Sequence, residues 1–464
     1  MGQAMKHWCI PLVAVVIACI AMPANAISLK QAVRLTVHEN PSGKADAANL
    51  RAIASELRES QTTFAPTVDL YGDVGKQRRE SPTATTVGGR GTDTLLSREI
   101  GVRASLLLFD GYERANLVYR NAARLDGATF RLLSTSETLA LSAVEAYIDV
   151  VRHRNLVAAT QRNIRRHRAI LGQIRERVAG GTSPASDRTQ IEERVFAAEA
   201  VSIEVRKALG DAEIKFKKVV GVKPEGKMNA APVKGLPHTL GSLVATSVAN
   251  NYTIKQADLN IRDQEFSKAA AHAGHMPRIS LDGRASTGAD RNGTRGTESD
   301  LYVGLSLTWR LYDGGLVNAR KRTSSERISE AEYRRDVAIR DVKEIAERSW
   351  NAYQRGIRRS AVLTKQLRSN ERIVDSYREE YSLSKRSLLD VLDAERARFN
   401  NEFQQISVAA SARFSAYRML ATMSRLTGYF GIRATQLAPT PNAVETFTAS
   451  DPHKIFNITI EPLE

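Results

Sequence analysis

Few residues in this chain have the types and spacing to do chemistry. Two carboxylates, Asp390 and Asp393, stand three apart in "YSLSKRSLLDVLDAE". Read alone, Ser387 and Asp390 form a capping-box pair at a helix start, and Asp393 sits favourably in the first turns. Two histidines, His272 and His275 in "HAGH", fall just before a strand and make a poor metal site. The arginine-rich run "RNIRRHRAILGQIRERV" (162–178) fits either a docking face for a partner or a solvated helix face. There is no P-loop, no HExxH and no Cys/His cluster, and no glycine pattern opens a helix after a strand as a nucleotide fingerprint requires. No titratable set converges, so an enzyme is a distant reading and neither cofactor nor metal is expected.

Stepping from those residues to the elements that must hold them, the first signal is at the N-terminus. Lys6 precedes the apolar run "CIPLVAVVIACIAM", and Ala24-Asn25-Ala26 offers a small-x-small cleavage site. Residues 1–26 are expected to be a signal peptide, leaving Ile27 first. Both cysteines, Cys9 and Cys19, lie inside it, so the mature chain has no thiol and no disulfide. An alternative reading takes "VIAC" as a lipoprotein box with Cys19 acylated. No later segment reaches the ~20 continuous apolar residues of a spanning helix. The net charge of +16 raises nucleic acid as a partner. Arginines spread along helices in an exported chain with few aromatics argue against it.

The stretch "YVGLSLTWRLYDGGLVNARK" alternates, with Val303, Leu305, Leu307, Trp309 and Leu311 on one parity. Strands place alternate side chains on opposite faces, so Leu301–Leu311 reads as a strand with one apolar face. "DGG" then breaks the pattern and a long charged helix begins. The whole arrangement occurs twice. "FAPTVDLYG" echoes "HMPRISLDG", with Pro66 and Pro277 separated by 211; "LLLFDGYERA" echoes "TWRLYDGGLVNA", with Asp110 and Asp313 separated by 203. "SPASD" matches "SLLD", Asp187 and Asp390 again differing by 203. The change of offset places eight extra residues in the loop after the first strand. Ile100, Val102, Ala104, Leu106 and Leu108 share a face in the first copy of the second strand.

No proline falls between Pro82 and Pro184, or between Pro277 and Pro439. A helix from about Tyr112 to Val178 would run ~100 Å. Its apolar residues step by threes and fours (Leu141, Val144, Ile148, Val151; Leu171, Ile174, Val178), as do Leu363, Leu367, Val374, Tyr377 and Tyr381 in the second copy, which is a coiled-coil seam. Ser183 reads as an N-cap with Pro184 at the first helical position. The expected organisation is: helices over 27–63, a strand pair with its loop over 64–110, and a long helical hairpin over 111–220. A connector with further helices follows over 221–274, then a second strand pair over 275–313, a second long hairpin over 314–428, and a partly loose tail over 429–464.

Four strands, each with an apolar face, cannot close alone, since open edges do not stand in lipid and barrels begin at eight strands. Cyclic copies would close them, and three give twelve strands. In this order and spacing, the duplication, the "P-x-h-x-h-x-G" strand entries, the "FDG" and "YDGG" turns (Asp110, Gly111; Asp313, Gly314) and the two hairpin tips resemble the TolC-type outer-membrane efflux and secretion channels, the outer membrane factor family. The likeness covers Ile27 to about Gly431.

The resemblance implies a transmembrane β-barrel above a long α-helical coiled-coil barrel, four strands per chain, closed by trimerisation. It implies an outer-membrane location spanning into the periplasm, and passive export. The energy would come from an inner-membrane RND pump or ABC transporter through a periplasmic adaptor. It implies an aperture ring of Asp390 and Asp393, and closed-state links from Tyr381 and Arg386 to Ser186 and Asp187. Tips at Gly181, Thr182, Ser183, Ser384 and Lys385 would meet the adaptor. Ser384 stands where the family usually has glycine, which leaves that tip's turn open. Trp309, Tyr302 and Tyr312 would join an aromatic girdle at the membrane interface. The alternative reading is a structural periplasmic coiled-coil protein without a pore.

Overall fold

The computed structural model describes residues 27–81, 91–291 and 295–448. The expected leader, its cleavage point and both cysteines lie outside them, as does the chain end from residue 449. Two short helices, α1 (Leu29–Glu39) and α2 (Pro41–Thr62), lead into strands β1 (Thr67–Ser81) and β2 (Gly91–Phe109). A long hairpin follows, α3 (Glu113–Ala179) and α4 (Ala185–Val220), then α5 (Leu240–Asn250) and α6 (Tyr252–His272). The pattern repeats with β3 (Arg278–Ala289), β4 (Thr297–Thr308), α7 (Leu316–Ser382) and α8 (Leu388–Thr422). Three short helices end the described chain: α9 (Leu426–Tyr429), α10 (Ala434–Leu437) and α11 (Ala443–Thr448).

The strands form one antiparallel sheet in the order β1-β2-β3-β4. Its register sorts the side chains by chemistry. Leu70, Val102, Ala285 and Leu301 lie in one row across the sheet, and Asp69, Arg103, Arg284 and Tyr302 lie in the next, on the opposite face. The apolar face is bare: Leu70 is 73% exposed, Leu301 79% and Leu305 67%. The polar face is cross-linked, with Arg284 on Asp300 at 2.8 Å, Tyr71 donating to Glu99 at 3.0 Å and Ser105 to Asp282 at 2.7 Å. Tyr302 therefore belongs to the polar face, opposite the row of Leu301, Val303 and Leu305.

The structure departs from the sequence pattern in two places. The alternation through Trp309 and Leu311 continues beyond the strand itself, because the partner strand begins only at Arg278, paired with Thr308, and Pro277 before it has no N–H to extend the ladder. Trp309 instead donates its indole N–H to the carbonyl of His275 at 3.1 Å. The extra residues of the first repeat go mostly into longer strands, 15 and 19 residues against 12 and 12, rather than into the loop.

Each strand-to-helix handover is fixed by its aspartate. Asp313 accepts from the backbone N–H of Gly315 and of Val317, both at 2.8 Å, and these bonds, Val317 first, hold its carboxyl below the usual range. Asp110 accepts from the backbone N–H of Arg114 and from its Nε at 2.8 Å, while that guanidinium also donates to the carbonyls of Thr63 and Leu107. Gly111 has φ +69°, and a Cβ there would stand 2.5 Å from that of Met276; Gly314 has φ +67° with open space around it. Gly111→Ala is therefore expected to cost about 2–3 kcal/mol and Gly314→Ala only about 1. Thermal unfolding followed by far-UV circular dichroism would show the two equal if the clash is irrelevant.

α3 and α7 each have 67 residues, about 100 Å of helix. In space the four long helices run in the order α4, α3, α8, α7, with α6 laid between α3 and α7 nearer the sheet. Val144, Ile148 and Ile174 of the expected seam are buried, as are Leu363 and Val374 in the second copy. The main core gathers where α1, the 221–239 connector and α9 wrap the hairpins, around Tyr147, Phe216, Tyr417 and Phe430. The tail expected to be loose is docked as far as Thr448. Asp126 of α3 accepts from the backbone N–H groups of Ala443 and Val444 at the start of α11, and Ala438 is buried.

Candidate functional site

Both hairpins turn at the end farthest from the sheet, and they turn alike. Gly181 has φ +73° and Ser384 φ +57°, the same left-handed conformation at positions 203 residues apart. The next residue closes the turn each time: Thr182 N–H donates to Arg177 O at 2.8 Å, and Lys385 N–H to Glu380 O at 2.9 Å. Serine thus adopts the turn that glycine adopts in the first tip. The helix starts differ. Pro184 itself is the N-cap of α4, without a side-chain bond, so the Ser183 cap with Pro184 at the first helical position is not formed. Ser387 caps α8, accepting from Asp390 N–H at 3.2 Å and donating its hydroxyl to the Asp390 carboxylate at 2.7 Å. That is one half of the expected capping box, with the second bond made to the side chain instead of the backbone.

Below the tips, Ile170, Leu171, Ile174, Ile191, Val195, Leu388, Val391 and Leu392 form a core joining the two hairpins. Asp390 and Asp393 sit on its rim, each about half exposed. Asp390 lies 3.9 Å from Arg386; Asp393 lies 3.5 Å from Arg396 and 3.8 Å from Arg194 of α4, a link across the hairpins.

Within the chain, the polar links expected of Tyr381 and Arg386 take other partners. Arg386 donates to Glu380 at 2.6 Å and stacks on Tyr377 at 3.9 Å, because the left-handed turn folds it back beside the end of its own helix. That bond holds the Glu380 carboxyl below its usual range. Tyr381 lies beneath Arg177 at 4.8 Å with its hydroxyl buried and unpaired. Neither reaches Asp187; Ser186 lines a groove with Leu389 and Leu392. His272 and His275 approach edge-on with ring centres 6.1 Å apart.

The strongest polar constellation is one that sequence reasoning missed. Glu395 of α8 is fully buried among arginines from three helices: Arg378 of α7, Arg398 of α8 at 3.0 Å and Arg166 of α3 at 3.7 Å. Arg398 also meets Glu402 at 3.1 Å, and Glu402 meets Arg162 of α3. Around this network, Arg398 Nη2, Asn163 Oδ1 and both amide atoms of Asn401 are buried without partners. The arginine-rich run is therefore largely spoken for, since Arg168 and Arg175 pair with Glu199 and Glu192 of α4. The available signal was the charge alternation of Glu395, Arg398 and Glu402 along the otherwise apolar side of α8.

Comparison with known proteins follows this architecture. The sequence model described as "Outer membrane efflux protein" matches residues 33–222 and 243–424, one block per repeat. Outer membrane efflux protein BepC of Brucella suis biovar 1 is 23% identical over 350 residues, 75% of this chain and 77% of BepC. Outer membrane protein TolC of Escherichia coli K12 is 23% identical over 394 residues, 81% of this chain and 77% of TolC. Among solved structures, a membrane protein from Pseudomonas aeruginosa superposes with a TM-score of 0.76 at 18% identity, covering 85% of this chain and 90% of that one.

Proposed function

Because the chain belongs to the outer membrane efflux protein family, an outer-membrane channel of efflux or secretion, we propose that three copies close into one duct for passive export. The observation that carries this is the sheet. Its bare apolar face suits lipid, its charged face suits an aqueous lumen, and its two unpaired edges, β1 and β4, need neighbours. Three copies supply twelve strands.

The helical layer supports the same closure. Its outer helices are α4 and α7. α4 exposes Phe196, Ile203 and Ile214 among charges of both signs, Glu204, Arg206, Lys207 and Asp211. α7 exposes Ile357, Val362 and Ile373 beside the unpaired Arg355, Arg358, Arg359, Lys365 and Arg368. Each copy thus has two outer helices whose exposed apolar side chains a neighbouring copy would cover. In such a ring Asp390 and Asp393 recur threefold as a cation-selective aperture at the periplasmic end. The tips Gly181, Thr182, Ser183, Ser384 and Lys385 would receive a periplasmic adaptor, through which an inner-membrane RND pump or ABC transporter drives export. The channel itself is assigned no chemistry.

The test is single-channel conductance of purified protein in a planar bilayer. Small cation-selective openings are expected, with selectivity largely lost in Asp390→Ala/Asp393→Ala. Selectivity that ignores the substitution would reduce the two aspartates to helix caps. A folded protein that never conducts would remove the channel reading.

A further inference from the structure

We infer that the second strand-to-helix junction, residues 309–322, is a seat for the phosphate headgroups of anionic phospholipid in the periplasmic leaflet of the outer membrane. The inference goes beyond the channel reading and rests only on its membrane placement. β4 ends at Thr308 and its apolar row at Leu307, yet Trp309 and Leu311 continue that row's parity, and Tyr312 beside them is 86% exposed. The Trp309 indole is anchored by its bond to His275 O, which leaves its ring open at the foot of the lipid-facing row. Aromatic side chains of this kind settle at headgroup depth.

Around them stand four cations. Arg310, Arg320 and Arg322 are exposed and Lys321 is half-exposed; among the described residues none makes an ion pair or a side-chain hydrogen bond. The carboxylate in the turn, Asp313, is occupied by the N–H groups of Gly315 and Val317. Glu326, one turn further on, pairs with none of them.

The first repeat provides the contrast. At its junction the cations are consumed: Arg114 is buried on Asp110, Arg120 meets Asp263 and Arg124 meets Glu56. The two junctions share a fold, and the second alone presents free positive charge beside exposed aromatic surface. Long cationic side chains at the edge of an apolar belt reach phosphate oxygens while their stems stay in the acyl region.

The test uses the full-length protein in vesicles, with Trp8→Phe/Trp350→Phe leaving Trp309 as the only indole. Quenching is compared between brominated phosphatidylglycerol and brominated phosphatidylcholine diluted into unbrominated phosphatidylcholine. Association of the anionic lipid at Trp309 is expected to be about 3–10-fold stronger at low salt. That ratio should fall to about 1 in Arg310→Gln/Arg320→Gln/Lys321→Gln/Arg322→Gln, and stay unchanged in Lys223→Gln/Lys227→Gln/Lys234→Gln, exposed cations of the connector. If the fourfold variant does not fold, raising salt to about 0.5 M on the unsubstituted cluster gives the same answer, the ratio falling toward 1.

A ratio of 1 at low salt with the cluster intact overturns the inference. So does an indole that neither lipid quenches, which would mean that a neighbouring copy covers the junction. Planar-bilayer conductance of the same preparation separates the failures. Conducting protein with no lipid preference sinks this inference alone, whereas non-conducting protein sinks the channel reading.

Discussion

Glu395→Ala is expected to destabilise the joined hairpins by about 3–5 kcal/mol, because it leaves Arg166, Arg378 and Arg398 facing one another without their common anion. Arg398 is 2% exposed in its side chain and cannot turn to water, and it is left with Glu402, a carboxylate it already shares with Arg162. The three arginines belong to α3, α7 and α8, so the loss falls on the seam between the two hairpins. In a bilayer the variant is expected to open more often and more widely than the unsubstituted channel. Replacing both partners with apolar residues, Glu395→Leu/Arg398→Leu, should recover much of the stability, since removing a buried pair together is far cheaper than orphaning one half. Urea unfolding of detergent-solubilised protein measures the first effect. A Glu395→Ala loss under about 1 kcal/mol would show that water already enters the network.

The second large effect belongs to Glu137 on α3, which holds the start of α9 in place. Its carboxylate accepts from the N–H groups of Leu426 at 2.9 Å and Thr427 at 3.1 Å, and from the Thr427 hydroxyl at 2.6 Å, at the start of α9. The site is buried, and burial pushes the carboxyl up to about 7 against these three donors. Glu137→Ala strands all three and should cost about 3 kcal/mol.

The pH dependence has a definite sign. The folded state binds this proton more tightly than the unfolded chain, whose carboxyl titrates near 4.5. The stabilisation is therefore complete below about 4.5 and is lost as pH rises to about 7, a swing of roughly 3 kcal/mol. Glu137→Gln cannot titrate and should flatten this part of the stability profile. A profile that keeps its slope between pH 5 and about 7.5 in Glu137→Gln would assign the effect to another group.

Much of this protein was legible before its structure. The 203-residue offset that joins Asp110 to Asp313 also joins Gly181 to Ser384, and the structure gives each pair the same local role at its turn. Period-two alternation located the sheet, and proline-free spacing located the helices. What stayed hidden depended on partners distant in sequence. Arg162 and Arg166 read as a docking face or a solvated face because the carboxylates they meet, Glu402 and Glu395, come more than 200 residues later. Strand length in the first hairpin was hidden for a different reason. Gly91 to Thr94 carry no apolar alternation, and only pairing with residues 78–81 makes them strand. The foot of β4 shows the converse, alternation persisting where Pro277 leaves no ladder to extend.

The twin 67-residue helices impose a rule on how this molecule can change length. Each half of the chain lowers one tip from the same sheet, and both tips finish level only because their shafts are equal. One heptad added to the first hairpin alone would drop its tip about 10 Å below the other. A surface that must touch both tips would then reach only the longer one. A longer or shorter version of this molecule therefore has to be edited in both halves at once, and the matched repeats make that a counting problem instead of a packing one.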